Sequence, residues 1–266
     1  MSSPELEWVD LLYESTYFRF LKDKNISHDE FWTNFGIYDE IVKHSSYPGN
    51  IYNRICDLIV PGKKIIDIGA GTGAFTIPLA GIASEVIAID PSSYHLEILA
   101  SKCADGCIHN VNFINEEWKH VDEEKYAQAL RDVDYTIAAY SIIDPDIESF
   151  LKKMYCVSTK GMFIVYRTGE RDPLEEFAHG KKRSIDYQYI LRVMEEMGLD
   201  ASVEILQRDY WLPLDLVMRK FKECKRSGSE LYNFICESER LDTSSGESKV
   251  SFSTKDALIY IFKNRF

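Results

Sequence analysis

The spacing of apolar residues changes along this 266-residue chain, and each change marks a different kind of structure. Over residues 1–60 apolar side chains recur at helical spacing, as in WVDLLYESTYFRFLK and NIYNRICDLIV. Between those stretches lies FWTNFGIYDEIVKHSSYPG, rich in aromatics and turn residues, which reads as an irregular cap or a mobile lid. From residue 63 short β-rich runs alternate with helical stretches, the pattern of a parallel sheet with crossover helices. Strands are expected at 64–68, 86–89, 111–114, 135–140 and 162–166, with helices starting near Ala74, Ser93, Lys125 and Asp146.

Beyond Arg167 the pattern predicts a helix in IDYQYILRVMEEMGL capped by Gly198, a sixth strand in ASVEILQRDYW and a seventh at 257–262. The segment between those last strands, about 213–245, has helical spacing and reads as an insertion beside the sheet. The expected organisation is an N-terminal helical cap over 1–60 and an α/β domain over 61–266.

Composition narrows the class. The chain is 45% hydrophobic and 28% charged, as ordinary globular proteins are. Its 43 acidic and 31 basic residues give a net charge of -12, which repels phosphate backbones and argues against nucleic acid as a partner, despite a local basic run at Lys181, Lys182 and Arg183. MSSPELEWVD has neither a basic start nor an apolar core, and no apolar run is long enough to span a bilayer. A cytoplasmic protein without a membrane partner is expected. Cys103 and Cys107 in CADGC have the spacing of half a metal site, but no second Cys/His pair accompanies them, so no metal is expected.

The chemistry concentrates in KKIIDIGAGTGAF. Gly69, Gly71 and Ala74 fit the dinucleotide fingerprint, and Asp90 ends the next strand, where a carboxylate can hold ribose hydroxyls. A nicotinamide-dependent oxidoreductase is therefore one reading. Asp67 discriminates against it, because a carboxylate at the strand end would face a pyrophosphate at close range in a partly dry cleft. A ligand whose tail carries an ammonium and a sulfonium would be attracted instead.

Asp67-Ile68-Gly69-Ala70-Gly71-Thr72-Gly73 closely resembles the first motif of class I S-adenosylmethionine-dependent methyltransferases. The resemblance continues in chain order. The run from Val86 to Asp90, Pro91 and Ser92 is similar to the family's second strand, whose terminal acid holds both ribose hydroxyls. The run from Asn110 through Glu116, Glu117 and Trp118 resembles the third, where an acidic or amide side chain meets the adenine amino group. The segment from Asp134 through Tyr140 to Asp146 resembles the fourth strand and the loop beneath the transferable methyl, and 150–165 resembles the following helix, glycine turn and strand.

The resemblance implies a Rossmann-like sheet of seven mostly parallel strands with helices on both faces and the last strand antiparallel. It implies adenosylmethionine as cofactor and adenosylhomocysteine as product, bound by Asp67, Gly69, Ala70, Gly71, Gly73, Asp90, Pro91 and Tyr140. Where the family often has Gly-Asp after the third strand, this chain has Asn115-Glu116, so Glu116 and Glu117 are alternative adenine partners. Trp118 either stacks on the adenine or covers the sheet edge.

Methyl transfer to a small molecule or a protein side chain is the expected activity. RNA methylation and a catalytically silent adenosylmethionine-binding protein are the alternatives within the fold. The Asn/Asp/Ser-Pro-Pro-aromatic tetrapeptide of enzymes that methylate adenine or glutamine amino groups is absent, Tyr140-Ser-Ile-Ile-Asp144-Pro145 standing in its place. Candidate catalytic groups are Asp144, Tyr140 and His44, each with a plain structural alternative in a turn, a strand end or a lid. Arg167 and Arg171 either bind an acceptor carboxylate or phosphate or pair with surface acids. Phe31, Trp32, Phe35 and Tyr38 either line the acceptor pocket or form the buried face of the lid, in which Tyr47 also lies.

Overall fold

The computed structural model describes residues 4–34, 36–122, 124–181, 185–244 and 246–263. Phe35, Lys182 and Arg183 lie outside the described residues. The sheet begins with β1 (Lys64–Ile68), β2 (Glu85–Ile89), β3 (Val111–Ile114), β4 (Tyr135–Ala139) and β5 (Gly161–Arg167), all parallel. β6 (Ser202–Pro213) and β8 (Lys249–Phe262) complete the order β3-β2-β1-β4-β5-β8-β6, with β8 antiparallel to both its neighbours. The order reverses between β1 and β4, and a doubly wound sheet opens its ligand crevice at such a reversal, beyond the carboxyl ends of the strands.

Each face of the sheet carries its own core. One buries Ile66 and Ile68 of β1 with Trp8 and Leu11 of α1 (Pro4–Glu14), Phe150 and Leu151 of α9 (Ile147–Val157) and Ile190 of α11 (Tyr187–Glu196). The other buries Ile65 with Ile51 and Ile55 of α5 (Gly49–Leu58), Leu79 of α6 (Thr76–Ala80) and Leu99 of α7 (Ser93–Asp105). Two-residue periodicity therefore turns Asp67 toward the second layer, above α6.

The N-terminal segment thus starts on one face and ends on the other, crossing above the strand ends. The crossing is more regular than its turn-rich sequence suggests. Beyond α2 (Thr16–Lys24) it contains α3 (His28–Asn34) and α4 (Tyr38–His44), the latter with Asp39 and Glu40 in its first turn and Lys43 and His44 in its last, as the helix dipole favours.

The end of the chain also departs from expectation. β8 begins at Lys249, well before residue 257, and a two-residue strand β7 (Leu241–Asp242) pairs with it, making eight strands where seven were expected. Val250 and Phe252 supply the buried positions of this extension, but the Ser and Thr residues alternating with them read as turn signals. The long β6–β8 ribbon packs with α10 (Pro173–His179), α12 (Leu214–Lys220) and α13 (Gly228–Glu237) into a third, smaller core. Ile37 and Ile41 of the crossing segment pack against it.

Trp8 ties α1 to the loop after β4. It is fully buried, and its indole N–H donates to the Asp144 carbonyl at 2.8 Å. Trp8→Ala should lower stability by about 3–5 kcal/mol in urea unfolding, through the cavity and the orphaned carbonyl.

Candidate functional site

The turn after β1 is built on backbone shapes that side chains resist. Gly69, Gly71 and Gly73 all have positive φ. At Gly69 the φ is +73, and a Cβ there would stand 2.2 Å from the Ser141 Cβ, so the bare glycine is what lets the ends of β1 and β4 meet. Gly71 differs, because its φ is +53 and a Cβ would meet only the Tyr38 ring, at 3.9 Å. The backbone is open to close approach there.

Two acids flank this turn. Asp67 is 2% exposed, and its Oδ2 accepts the Thr76 hydroxyl at 2.6 Å. Burial pushes its pKa up to about 6, opposed by the Thr76 hydrogen bonds and raised further by the nearby Asp90 charge. Asp90 accepts the Gly71 N–H at 2.8 Å and the Ser92 N–H at 2.9 Å. An ionised carboxylate offers about four acceptor sites, so Asp90 retains capacity for further donors. Among the described residues, no Lys or Arg forms an ion pair with either acid; only the His95 Nδ1 lies 3.8 Å from Asp90. A buried pair of acids without a Lys or Arg partner is complementary to a cation and to hydroxyl donors. Asn115, whose amide donates to the Asp90 and Pro91 carbonyls at 3.0 Å, holds the end of β3 against that of β2.

The crossing segment closes over the turn. Thr72 Oγ1 donates to Asp39 at 2.8 Å, and the Lys102 ammonium bonds both Asp39 and the Thr72 carbonyl. This latch sets Tyr38 over Gly71. Its ring stacks near His95 at 5.7 Å, and Trp32 lies 5.3 Å from it. Burial pushes the Tyr38 phenol up to about 12, with Asp90, Asp67 and Asp39 adding to the shift. Tyr47 packs against Phe75 and Tyr140, with centroids 5.5 and 6.0 Å away. Among the described residues neither the Tyr38 nor the Tyr47 hydroxyl has a hydrogen-bond partner. Trp32, Tyr38 and Tyr47 therefore belong to the site's cover, while Phe31 packs edge-on against Trp32 at 5.0 Å.

Tyr140 follows β4 directly and has a φ of 58, strained for a residue with a side chain. Its hydroxyl donates to Asp256, which is 1% exposed and accepts from Arg208 Nε at 3.1 Å. Arg208 in turn donates to the Ser45 carbonyl at 2.8 Å and lies 5.2 Å from the Tyr47 ring. One buried network thus joins the end of β4, the β6–β8 ribbon and the cover. Sequence reasoning missed Asp256 and Arg208. The available signal was a lone acid at the head of the apolar run ALIYIF.

Other expected site residues fall elsewhere. Trp118 is 4% exposed, its indole donates to the Phe150 carbonyl at 3.3 Å, and the Lys153 ammonium lies 4.7 Å over its ring, so it packs as a core residue near the end of β3. Glu116 is half-buried and 3.3 Å from Lys125, while Glu117 is exposed and 2.7 Å from Lys119. Asp144 serves the turn, its carboxylate accepting the Asp146 N–H at 2.9 Å. His44 ends α4 half-buried. Among the described residues no group of His, Cys, Asp or Glu is arranged to hold a metal, and no helix is long and apolar enough to cross a membrane. The cleft lined by Tyr13, Phe18, Leu21 and Ile26 contains no residue of this site.

Residues 65–161 match a family model described as a methyltransferase domain. An uncharacterised methyltransferase of Oceanobacillus iheyensis is 24% identical over 202 residues, 74% of this chain and 78% of that protein. An uncharacterised Haemophilus influenzae protein is 25% identical over 152 residues, 55% of this chain, and the match spans only 54% of that relative's length. A solved structure of Haemonchus contortus phosphoethanolamine N-methyltransferase 2, in complex with phosphomonomethylethanolamine and S-adenosylhomocysteine, aligns with a TM-score of 0.57 at 14% identity. The alignment covers 90% of this chain and 61% of that one, a likeness of fold.

Two substitutions separate the roles of the glycines. Gly69→Ala should cost about 2–4 kcal/mol in urea unfolding, from left-handed strain plus overpacking, and Gly71→Ala only about 1–2 from strain. Asp67 gives a pH signature. Its folded pKa lies above the usual value of about 3.9, so the folded state holds its proton longer and its contribution to stability falls as pH rises between about 4 and 6. Across that window wild-type stability should fall by about 2–3 kcal/mol relative to Asp67→Asn, as read by denaturant titrations at each pH.

Proposed function

We propose that the chain is a class I methyltransferase, and that it transfers a methyl group from S-adenosylmethionine to a small-molecule or protein acceptor; the methyltransferase-domain match over residues 65–161 supports this. One observation carries the proposal: two buried acids, Asp67 and Asp90, face the glycine turn without a Lys or Arg partner. Asp67 would hold the ammonium of the methionine tail. Asp90 would accept from the ribose hydroxyls, and Gly71 would admit the chain against open backbone, with Pro91 and either Glu116 or Glu117 at the adenine end. When bound, adenosylmethionine would supply an electrophilic methyl on its sulfonium for the acceptor's lone pair. The protein's share is alignment and exclusion of water, which suits a site covered by Tyr38 and Tyr47.

In this reading residues 1–60 are the cap and about 213–245 the insertion, and together they shape the acceptor side. The net charge of -12 favours an acceptor other than RNA. Asp67 disfavours a dinucleotide pyrophosphate.

Calorimetric titration with adenosylmethionine, adenosylhomocysteine and NADH tests the reading. Adenosylhomocysteine should bind, NADH should not, and Asp67→Asn should weaken the adenosyl ligands about tenfold, the loss of one charge-assisted contact. Wild-type affinity should rise with pH through about 6 as Asp67 ionises, because the ligand's ammonium is already charged there. NADH binding alone would overturn the proposal. Tight adenosylmethionine binding with no labelled methyl passing to any fraction of a cell extract would replace it with a silent binding protein.

A further inference from the structure

The charges at the acceptor side are arranged differently from those at the glycine turn. Arg208 and Asp256 neutralise one another beneath Tyr140, at 3.1 Å. Arg167, the last residue of β5, sits in register with Asp256 on β8. Its guanidinium lies 6.0 Å from the ring centroids of both Tyr140 and Tyr166, over two rings stacked 6.3 Å apart. Among the described residues that guanidinium has no ion pair and no hydrogen bond.

The surrounding charges are engaged with other groups. Asp186, the acid that faces Tyr166, caps α11 by accepting the Gln188 N–H at 2.9 Å. Glu170 pairs with Lys255 at 3.0 Å. Asp172 is held by Arg240 at 2.6 Å. Arg171 faces Glu175, which Lys220 already pairs. In a chain with a net charge of -12, an exposed guanidinium left without an acid over the Tyr140 and Tyr166 rings is open to an anion from outside the chain.

We propose that the methyl acceptor carries an anionic group, a phosphate or a carboxylate, and that Arg167 holds it while the Tyr140 and Tyr166 rings wall the rest of the molecule. This rests on the methyltransferase reading. The planar fork matches either anion with two parallel N–H bonds, and stacking on the aromatic pair keeps it aimed. Cofactor and acceptor would then be sorted by charge, the cationic tail toward Asp67 and the anion toward Arg167.

The probes are inorganic phosphate and acetate, titrated into the full chain with and without adenosylhomocysteine while the arginine Nε–Hε signals are followed by NMR. The Arg167 signal, assigned by its loss in Arg167→Gln, should shift saturably while that of Arg208 stays fixed. Arg167→Gln should weaken anion binding at least tenfold, Arg167→Lys less, and Arg171→Gln not at all, with adenosylhomocysteine affinity unchanged in all three. Preference for phosphate or for acetate would identify the source of the charge, and either supports the proposal. Unchanged anion binding in Arg167→Gln, or no saturable shift with either probe, would overturn it. Failure of adenosylhomocysteine to bind would count against the methyltransferase reading instead, since the anion titration is also run without it.

Discussion

The contact between the ends of β1 and β4 governs what lies above the sheet. Gly69 and Ser141 approach so closely that a Cβ at position 69 would stand 2.2 Å from its neighbour. That approach brings the glycine turn beside Tyr140, at the point where the strand order reverses. The two acids of the turn and the Tyr140, Asp256 and Arg208 network consequently stand at adjoining strand ends, one acidic and unneutralised, the other balanced. A wider gap would separate them into unrelated surfaces.

The cost of this arrangement is concentrated in a few groups. Asp67 is ionised at neutral pH only against the desolvation that lifts its pKa to about 6. Tyr140 holds a left-handed backbone while its hydroxyl is tied to Asp256. Functional sites often store strain and unfavourable burial of this kind, and two large cores supply the stability that tolerates it.

Much of this was readable in the sequence, for physical reasons that also mark where reading fails. Strands β1, β2, β4 and β5 are largely buried on both faces and read as short, mostly apolar runs, and the glycines of the turn after β1 report their own backbone conformations. The cover was harder. Helix α4 has no buried residue to set a period, and its position follows from Asp39 meeting Thr72 and Lys102. Trp118 had an equal claim to ligand and core, and its packing against Phe150 and Lys153 becomes visible only in the fold. Asp256 acquires its role from Tyr140, 116 positions away in the chain, a separation that no local pattern spans.

The crossing segment has a mechanical consequence. It is anchored at both ends in opposite layers, by Trp8 in one core and by Ile51 and Ile55 in the other. A strap fixed at both ends cannot swing aside like a door; it can only bow outward in the middle. The middle is where Asp39 grips Thr72 and Lys102, and where the Ser45 carbonyl receives Arg208. The span is held there by these polar bonds together with Ile37 and Ile41 packed on the third core, while the apolar anchors at its two ends stay in place.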